Sequence, residues 1–300
     1  AAVDSYEQTL AKLSASGEVF SLDLAMSHLT ADIICRTVFL TSLASKTSRE
    51  VFDAFMVFER SVAQVELKRF IFEPAWTPVK QRADVQAACD VIRERLGELL
   101  DTHLTADGTN FDDIATAIVQ AEDPQTAKKF DRKELIDQLG VMFLAGHETT
   151  ASVLTWAFFI LASQRDVAEK MRAEIDDVVG DGPIEFEHIR KLQFVRNVFR
   201  ETLRLYPPIT FIPRVALEAT RIGKFKVKRG AMIMVSPWTI HRNESYWVNA
   251  HRFDPDRFSA EREAAMVSGA YLPFGLGPRV CVGAAFATTE ATLILARLIR

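Results

Sequence analysis

The chain has 300 residues, 48% hydrophobic and 25% charged, which is enough apolar material for one large folded domain with a sizeable core and excludes disorder. A formal net charge of −4 provides no basic field to gather phosphates, which argues against nucleic acid as a partner. Cys35, Cys89 and Cys281 are odd in number and far apart, which excludes a disulfide framework and a paired-cysteine zinc site and leads us to expect a reducing compartment, the cytoplasm.

The pattern opens inside a helix carried by Val3, Leu10 and Leu13. Apolar residues at helical spacing predict helices over 22–39, 48–70 and 85–104, and the polar stretch 105–110 predicts a loop. Asp131 followed by Glu134 reads as a capping box that opens a helix reaching about Ser163. At the rise of an α-helix that is roughly 45–50 Å, and its middle, 139–162, is apolar on nearly all sides, so a buried central strut is expected. Helices follow over 166–179 and 190–205, the second stopped by Pro207 and Pro208. The segments 225–228 and 232–235 flank Arg229 and Gly230 and predict a hairpin. Turn-rich sequence covers 251–258 and 271–283 before a last helix from about Ala284. The expected fold class is mainly α, a multi-helix domain with a long central helix and a small β-sheet. One domain is expected over 1–300, helical through 206, with a β region and loop over 207–283 and a final helix over 284–300. No stretch reaches about 18 consecutive apolar residues, so no membrane-spanning segment is expected, and an N-terminal anchor would have to lie outside these residues. There is no initiator Met, and both ends fall inside helical patterns, so the chain is expected to be the interior of a longer protein.

Three places in the sequence carry chemistry. Residues 273–283 read PFGLGPRVCVG, with three glycines and two prolines in eleven positions, a tight loop with open amides that leads into the last helix. Cys281 sits where those amides and the positive helix end stabilise a thiolate, with Arg279 nearby. A lone cysteine is more often a buried, inert hydrophobe, but such a residue needs no glycine-rich cradle. Glu201 and Arg204 share a helix face and read, taken alone, as a surface ion pair worth about 0.3–0.5 kcal/mol. The run Ala145-Gly146-His147-Glu148-Thr149-Thr150 interrupts the long apolar helix. Glycine there costs about 1 kcal/mol against alanine, and a buried charge costs more, so packing alone explains neither. Gly146 is expected to let the backbone open, with the Thr149 hydroxyl competing for a carbonyl one turn back, which leaves a niche for a diatomic molecule.

Together these residues resemble the cytochrome P450 family. Phe274, Gly277, Arg279, Cys281 and Gly283 fill the five positions of the family's haem-binding loop. ETLRLYPP at 201–208 is similar to its Glu-x-x-Arg helix, and AGHETT to its oxygen-activating motif. FDPDRF at 253–258 is similar to its meander segment, with Asp256 where Glu is commoner. The resemblance implies a P450-like fold with haem b as cofactor, Cys281 as the axial thiolate ligand of the iron, and Phe274 packed near that ligand. Arg279 and Arg214 would pair with the propionates, although Arg214 by itself reads as a solvated charge at a strand start. Ala145 and Gly146 would lie against the cofactor. Glu201, Arg204 and Arg257 would form a buried network fixing the cysteine loop. Glu148 would be the proton-relay acid, Thr149 the hydroxyl of the oxygen niche, and His147 a bystander. Family members are longer, so an N-terminal part and the extreme C-terminus are expected to be missing.

The activity implied by the resemblance is that of a haem-thiolate monooxygenase, which inserts one oxygen atom from O2 into a hydrophobic small molecule. A thiolate ligand favours cleavage of the O–O bond. Two electrons would come from a separate ferredoxin or flavin reductase, and the protein is expected to be a monomer. Substrate-pocket candidates are Met142, Phe143 and Ala145 with Ile209, Thr210, Phe211 and Ile212. All but Thr210 are apolar, which points to a lipid- or terpenoid-like molecule, while the same residues also read as plain core. Phe70 and Phe72 are expected to roof the access route. Two other readings stay open. An oxygen-independent or peroxide-using haem-thiolate enzyme has no use for the Glu148–Thr149 pair, and a non-catalytic haem sensor or carrier needs no proton relay. The histidines offer no ligand set for zinc or non-haem iron. No nucleophile elbow, phosphate loop or dinucleotide fingerprint is present, so no flavin or nicotinamide module is expected in this chain.

Overall fold

Helices form where apolar spacing sets them, and the computed structural model describes them over residues 2–62, 81–105, 113–123 and 126–300, apart from the side chains of His103 and Thr105. Two compact units are present, residues 27–148 and residues 3–26 with 149–300. The chain passes from one to the other between Glu148 and Thr149, inside a continuous helix.

In the unit of residues 27–148, α2 (Leu22–Phe39, for most of its length), α3 (Lys46–Val62) and α4 (Ala83–Thr105) stand where helices were expected. The tail of the 48–70 prediction, with Phe70 and Phe72, lies outside the described residues, as does most of the 105–110 loop. α3 and α4 run side by side and bury Phe52, Phe55, Leu96 and Leu100. A short helix, α5 (Ile114–Gln120), was not expected. Its seven residues are too few to show a period, and it is started by Asp113, whose carboxylate accepts the Thr116 N–H.

The long helix α6 (Arg132–Ser163) has 32 residues and opens on the predicted capping box. The Asp131 N–H donates to Glu134 Oε2 at 2.8 Å, and the Glu134 N–H donates to Asp131 Oδ1 at 2.9 Å. The expectation of a strut buried on every side is corrected. Val141, Ala145, Glu148, Trp156 and Phe159 are exposed and recur at helical spacing, so one stripe of α6 is open. Leu139, Phe143, His147, Leu154 and Leu161 fill the packed side.

The other unit contains α1 (Ala2–Ser16), α7 (Arg165–Val179), α8 (Phe186–Ile189), α9 (Gln193–Leu205), α10 (Pro237–Ile240), α11 (Ala260–Ala264) and α12 (Ala284–Ile299). Its hub is α9, where every residue from Asn197 to Leu205 except Arg200 is buried. α9 packs on α7, on α12 and on a 3-10 turn, Pro255–Phe258. Pro207 and Pro208 end it, lacking the N–H groups that another turn needs. Arg297 ties α12 to α1, its Nε donating to Glu7 at 2.7 Å.

The predicted hairpin between 225–228 and 232–235 does not form. Strand β3 (Phe225–Val227) pairs instead with β2 (Thr220–Ile222), and β4 (Met232–Val235) pairs with β1 (Ile212–Val215), both antiparallel. Gly223, with φ of 54°, makes the tight turn of the inner pair. Gly230, with φ of 79°, returns the chain to the outer pair, its N–H donating to the Ala216 carbonyl. No helix among the described residues is long and apolar enough to cross a membrane.

Candidate functional site

The site is built outward from α9. Glu201 and Arg204 are fully buried and joined by two hydrogen bonds, from Arg204 Nε to Oε2 at 2.7 Å and from Nη2 to Oε1 at 2.8 Å. Arg257, on the Pro255–Phe258 turn, donates Nε to Glu201 Oε1 at 3.1 Å, and the Asp254 N–H donates to the same oxygen at 2.9 Å. A planar guanidinium fits a carboxylate in this way, and the surface-pair reading of the first two residues does not hold. Burial raises the Glu201 carboxyl, against the pull of both arginines and the Asp254 N–H.

The remaining donors of the two arginines hold backbone. Arg204 Nη1 donates to the carbonyls of His241 (2.6 Å) and Ala250 (2.7 Å), and Arg257 donates to those of Val248 and Asn249. Irregular chain over 241–252 is thereby pinned to α9 without secondary structure of its own.

His241 carries this network to the cysteine loop. It is fully buried, with Nδ1 3.2 Å from the Arg204 carbonyl oxygen, while Nε2 accepts the Leu272 N–H at 2.8 Å. A carbonyl only accepts, so the ring is neutral with its hydrogen on Nδ1. Burial, helped by the charges of Arg204 and Arg242, pushes its pKa down to about 4. Leu272 immediately precedes the 273–283 loop. Sequence reasoning missed His241, because its two partners lie 37 and 31 residues away and no local motif marks it.

The loop closes on itself. The Cys281 N–H donates to the Phe274 carbonyl at 2.9 Å, the Gly275 N–H to Leu272 at 3.3 Å and the Val280 N–H to Gly277 at 3.0 Å. Gly275 and Gly277 have φ of 74° and 73°, values that a side chain resists. Gly283 caps α12 and lies close to the sulfur, since a Cβ there would be 3.8 Å from Cys281 Sγ. Cys281 is exposed, whereas Cys35 is buried and its thiol is pushed up to about 12. Leu276 and Val282, on the same loop as Cys281, are 66% and 83% exposed, an unusual amount of bare apolar surface on a loop that carries a thiol. Arg279 is exposed and has no ion-pair partner among the described residues. An offered sulfur, an apolar surround and a free guanidinium are what a haem needs from the chain, so these residues fit that group.

On α6, Ala145 and Glu148 lie on the open stripe and Thr149 is half-buried. Gly146 has another role than the expected one. A Cβ on it would lie 2.4 Å from Ile34 Cδ1, so its bare backbone serves contact with α2 and not an opening of the helix. Phe143 is likewise corrected. It is fully buried and stacked on Phe55 at 5.0 Å, a packing residue and not a pocket wall. Met142 is half-buried. Ile209 and Phe211 are 51% and 52% exposed, with Thr210 and Ile212 half-buried beside them. Arg214, on β1, is exposed and donates to its neighbour's carbonyl at 2.8 Å.

Comparison with known proteins identifies the family. The family model described as Cytochrome P450 matches residues 2–300. Cyclooctatin synthase of Streptomyces melanosporofaciens is 31% identical over 91% of this chain and 59% of its own length. Cyclooctat-9-en-7-ol 5-monooxygenase of the same organism is 31% identical over 94% of this chain and 61% of its own. A crystal structure of a cytochrome P450 superposes with a TM-score of 0.84 at 26% identity, covering 99% of this chain and 65% of that one. The chain thus spans roughly three-fifths of the curated relatives it matches. The family match over residues 2–300, with relatives 31% identical over more than nine-tenths of the chain, shows that this chain belongs to the cytochrome P450 family.

Proposed function

We propose that the protein is a haem-thiolate monooxygenase that inserts one oxygen atom from O2 into a hydrophobic organic substrate. The observation that carries this reading is the exposed Cys281 sulfur on a loop closed by its own amides. The monooxygenase name of one relative supports it. Haem b would be held by Cys281 at the iron and by Arg279 and Arg214 at the propionates. Bound there, it supplies the activation of dioxygen for insertion into a C–H or C=C bond.

The chain's own residues supply the rest. The hydrogen bond from the Cys281 N–H to Phe274 fixes the backbone that presents the sulfur, and hydrogen bonding around a ligand tunes its electron donation. The Glu148 carboxyl, on the open stripe of α6, moves protons, and the neighbouring Thr149 hydroxyl holds a proton in place. Ile209 and Phe211 offer apolar surface to a substrate and exclude water from it. Electrons come from a separate ferredoxin or flavin reductase.

The test is the absorption spectrum of the full-length protein, reduced and saturated with carbon monoxide. A strongly red-shifted Soret band identifies a thiolate ligand, and its loss in Cys281→His assigns the ligand. An imidazole-like band in the unaltered protein, or no bound haem, refutes the proposal.

A further inference from the structure

His147 is fully buried on α6, one residue before Glu148, in a pocket walled by Phe52, Phe55 and Phe143 at ring-centroid distances of 5.8, 6.4 and 5.0 Å. Its Nδ1 lies 2.9 Å from the Phe143 carbonyl oxygen, which only accepts, so Nδ1 carries the hydrogen. Nε2 is then a bare lone pair as long as the ring is neutral, and burial keeps it so by lowering its basicity. That lone pair faces Glu59 Oε1 of α3 across 3.4 Å, and neither atom has a hydrogen-bond partner among the described residues. Two acceptors facing one another in an aromatic pocket repel, and one proton between them makes the contact attractive.

Burial and the negative charge of Glu148 both favour that proton on Glu59, whose carboxyl is raised to about 7. The ligand atoms of Glu59, His147 and Glu148 all lie within 4.8 Å of one another. From α2, Thr30 donates its hydroxyl to the His147 carbonyl at 3.0 Å, His28 packs edge-on against Phe52, and Asp32 is paired with Arg36. Glu148 is the one charge that acts on Glu59 among the described residues.

We propose that Glu59 and His147 share a proton that recharges Glu148, with Glu59 as the donor and His147 as the residue that holds its hydroxyl in position. The proposal rests on the monooxygenase reading, in which Glu148 is the relay acid. The O–H bond of Glu59 breaks, an O–H bond forms on Glu148, and the Glu59 carboxylate regains a proton through its exposed edge, which leaves 18% of the side chain open to water. No electrons move.

Selective 15N labelling of the six histidines reads the pair directly, with the His147 signals assigned by their loss in His147→Gln. The expected spectrum has a hydrogen on Nδ1 and an accepting Nε2, whose shift titrates near pH 7. The midpoint falls in Glu148→Gln, and the transition vanishes in Glu59→Gln, whose amide still donates to Nε2. In the full-length, haem-loaded protein, Glu59→Gln keeps the fold and spectrum while peroxide released per electron rises several-fold. A doubly protonated His147 at neutral pH, a midpoint indifferent to Glu148→Gln, or an unchanged peroxide yield overturns the proposal. So does one-to-one binding of zinc chloride through Nε2, which would make the trio a metal site. A full-length protein without turnover refutes the monooxygenase reading, and the histidine titration then still decides whether the pair shares a proton.

Discussion

A Cβ at Gly146 would lie 2.4 Å from Ile34 Cδ1 and 2.9 Å from Cγ1, closer than carbon atoms approach without displacement. Ile34 is buried on α2, with packed neighbours that leave it little room to turn. Gly146→Ala is therefore expected to destabilise the chain by about 1–3 kcal/mol, the usual cost of overpacking, even though alanine is the better helix former. The measurement is the urea midpoint of unfolding. Ile34→Ala alone also destabilises, by leaving a cavity, yet in the double variant each change relieves the other. A favourable coupling of at least about 1 kcal/mol in the double-mutant cycle is expected. Additive losses would show that Ile34 moves aside freely and that glycine is required at this position for some other reason.

Between elements, the joint that governs the site is His241, which bridges the end of α9 and the start of the cysteine loop. Replacing it by Phe keeps the ring but removes both contacts, leaving the Leu272 N–H and the Arg204 carbonyl without their partner. Buried groups stranded in this way cost about 1–3 kcal/mol each. His241→Phe is expected to lower the melting temperature and to release haem from the full-length protein, while His241→Gln, which can still donate and accept, recovers part of both. A Phe variant that melts and holds haem like the parent would remove His241 from the joint. Much of this region was legible in the sequence, but unevenly. The 273–283 loop and the α6 capping box are local patterns, and the chain follows them. Taken alone, Glu201 and Arg204 showed their shared face but not their burial, which came with Arg257 only through the family resemblance, because the backbone partners at His241 and Ala250 come from far along the chain. The 225–235 hairpin failed for the same reason. A turn signal at Arg229 and Gly230 says that the chain reverses, not which strand it then meets, and β4 finds β1. His147 looked incidental because nothing near it in sequence reveals the rings of α3 or the carboxyl of Glu59.

For the molecule as a whole, buried ionisable groups set how stability follows pH. Glu290 on α12 is buried, and among the described residues the Thr150 hydroxyl of α6 is the polar group that acts on its carboxyl, without a well-formed hydrogen bond. Burial pushes its pKa up to about 8 from an ordinary 4.5. Between those values the folded chain holds a proton that the unfolded chain has released, so stability falls as pH rises and levels off once Glu290 ionises in both states. Glu59, raised to about 7, acts in the same direction over a shorter range. His241 acts oppositely, since it is neutral in the fold down to about pH 4 and charged in the unfolded chain below about 6.5, so its contribution is lost as acid is added. Above pH 7 the histidine contribution is flat and Glu59 retains only a few tenths of a kcal/mol to lose, so Glu290 carries most of the remaining slope. A proton fully held by the fold alone is worth about 1.4 kcal/mol per pH unit, and Glu290 has given up about half of it by pH 8, so its share of the decline between pH 7 and 8 is expected to be about 1 kcal/mol. Glu290→Gln keeps the shape without the proton and should remove most of that decline, leaving the few tenths of a kcal/mol that belong to Glu59. Urea unfolding of both chains at pH 6, 7, 8 and 9 measures it. Parallel curves would mean that Glu290 is already ionised at neutral pH, and that a positive group outside the described residues compensates it.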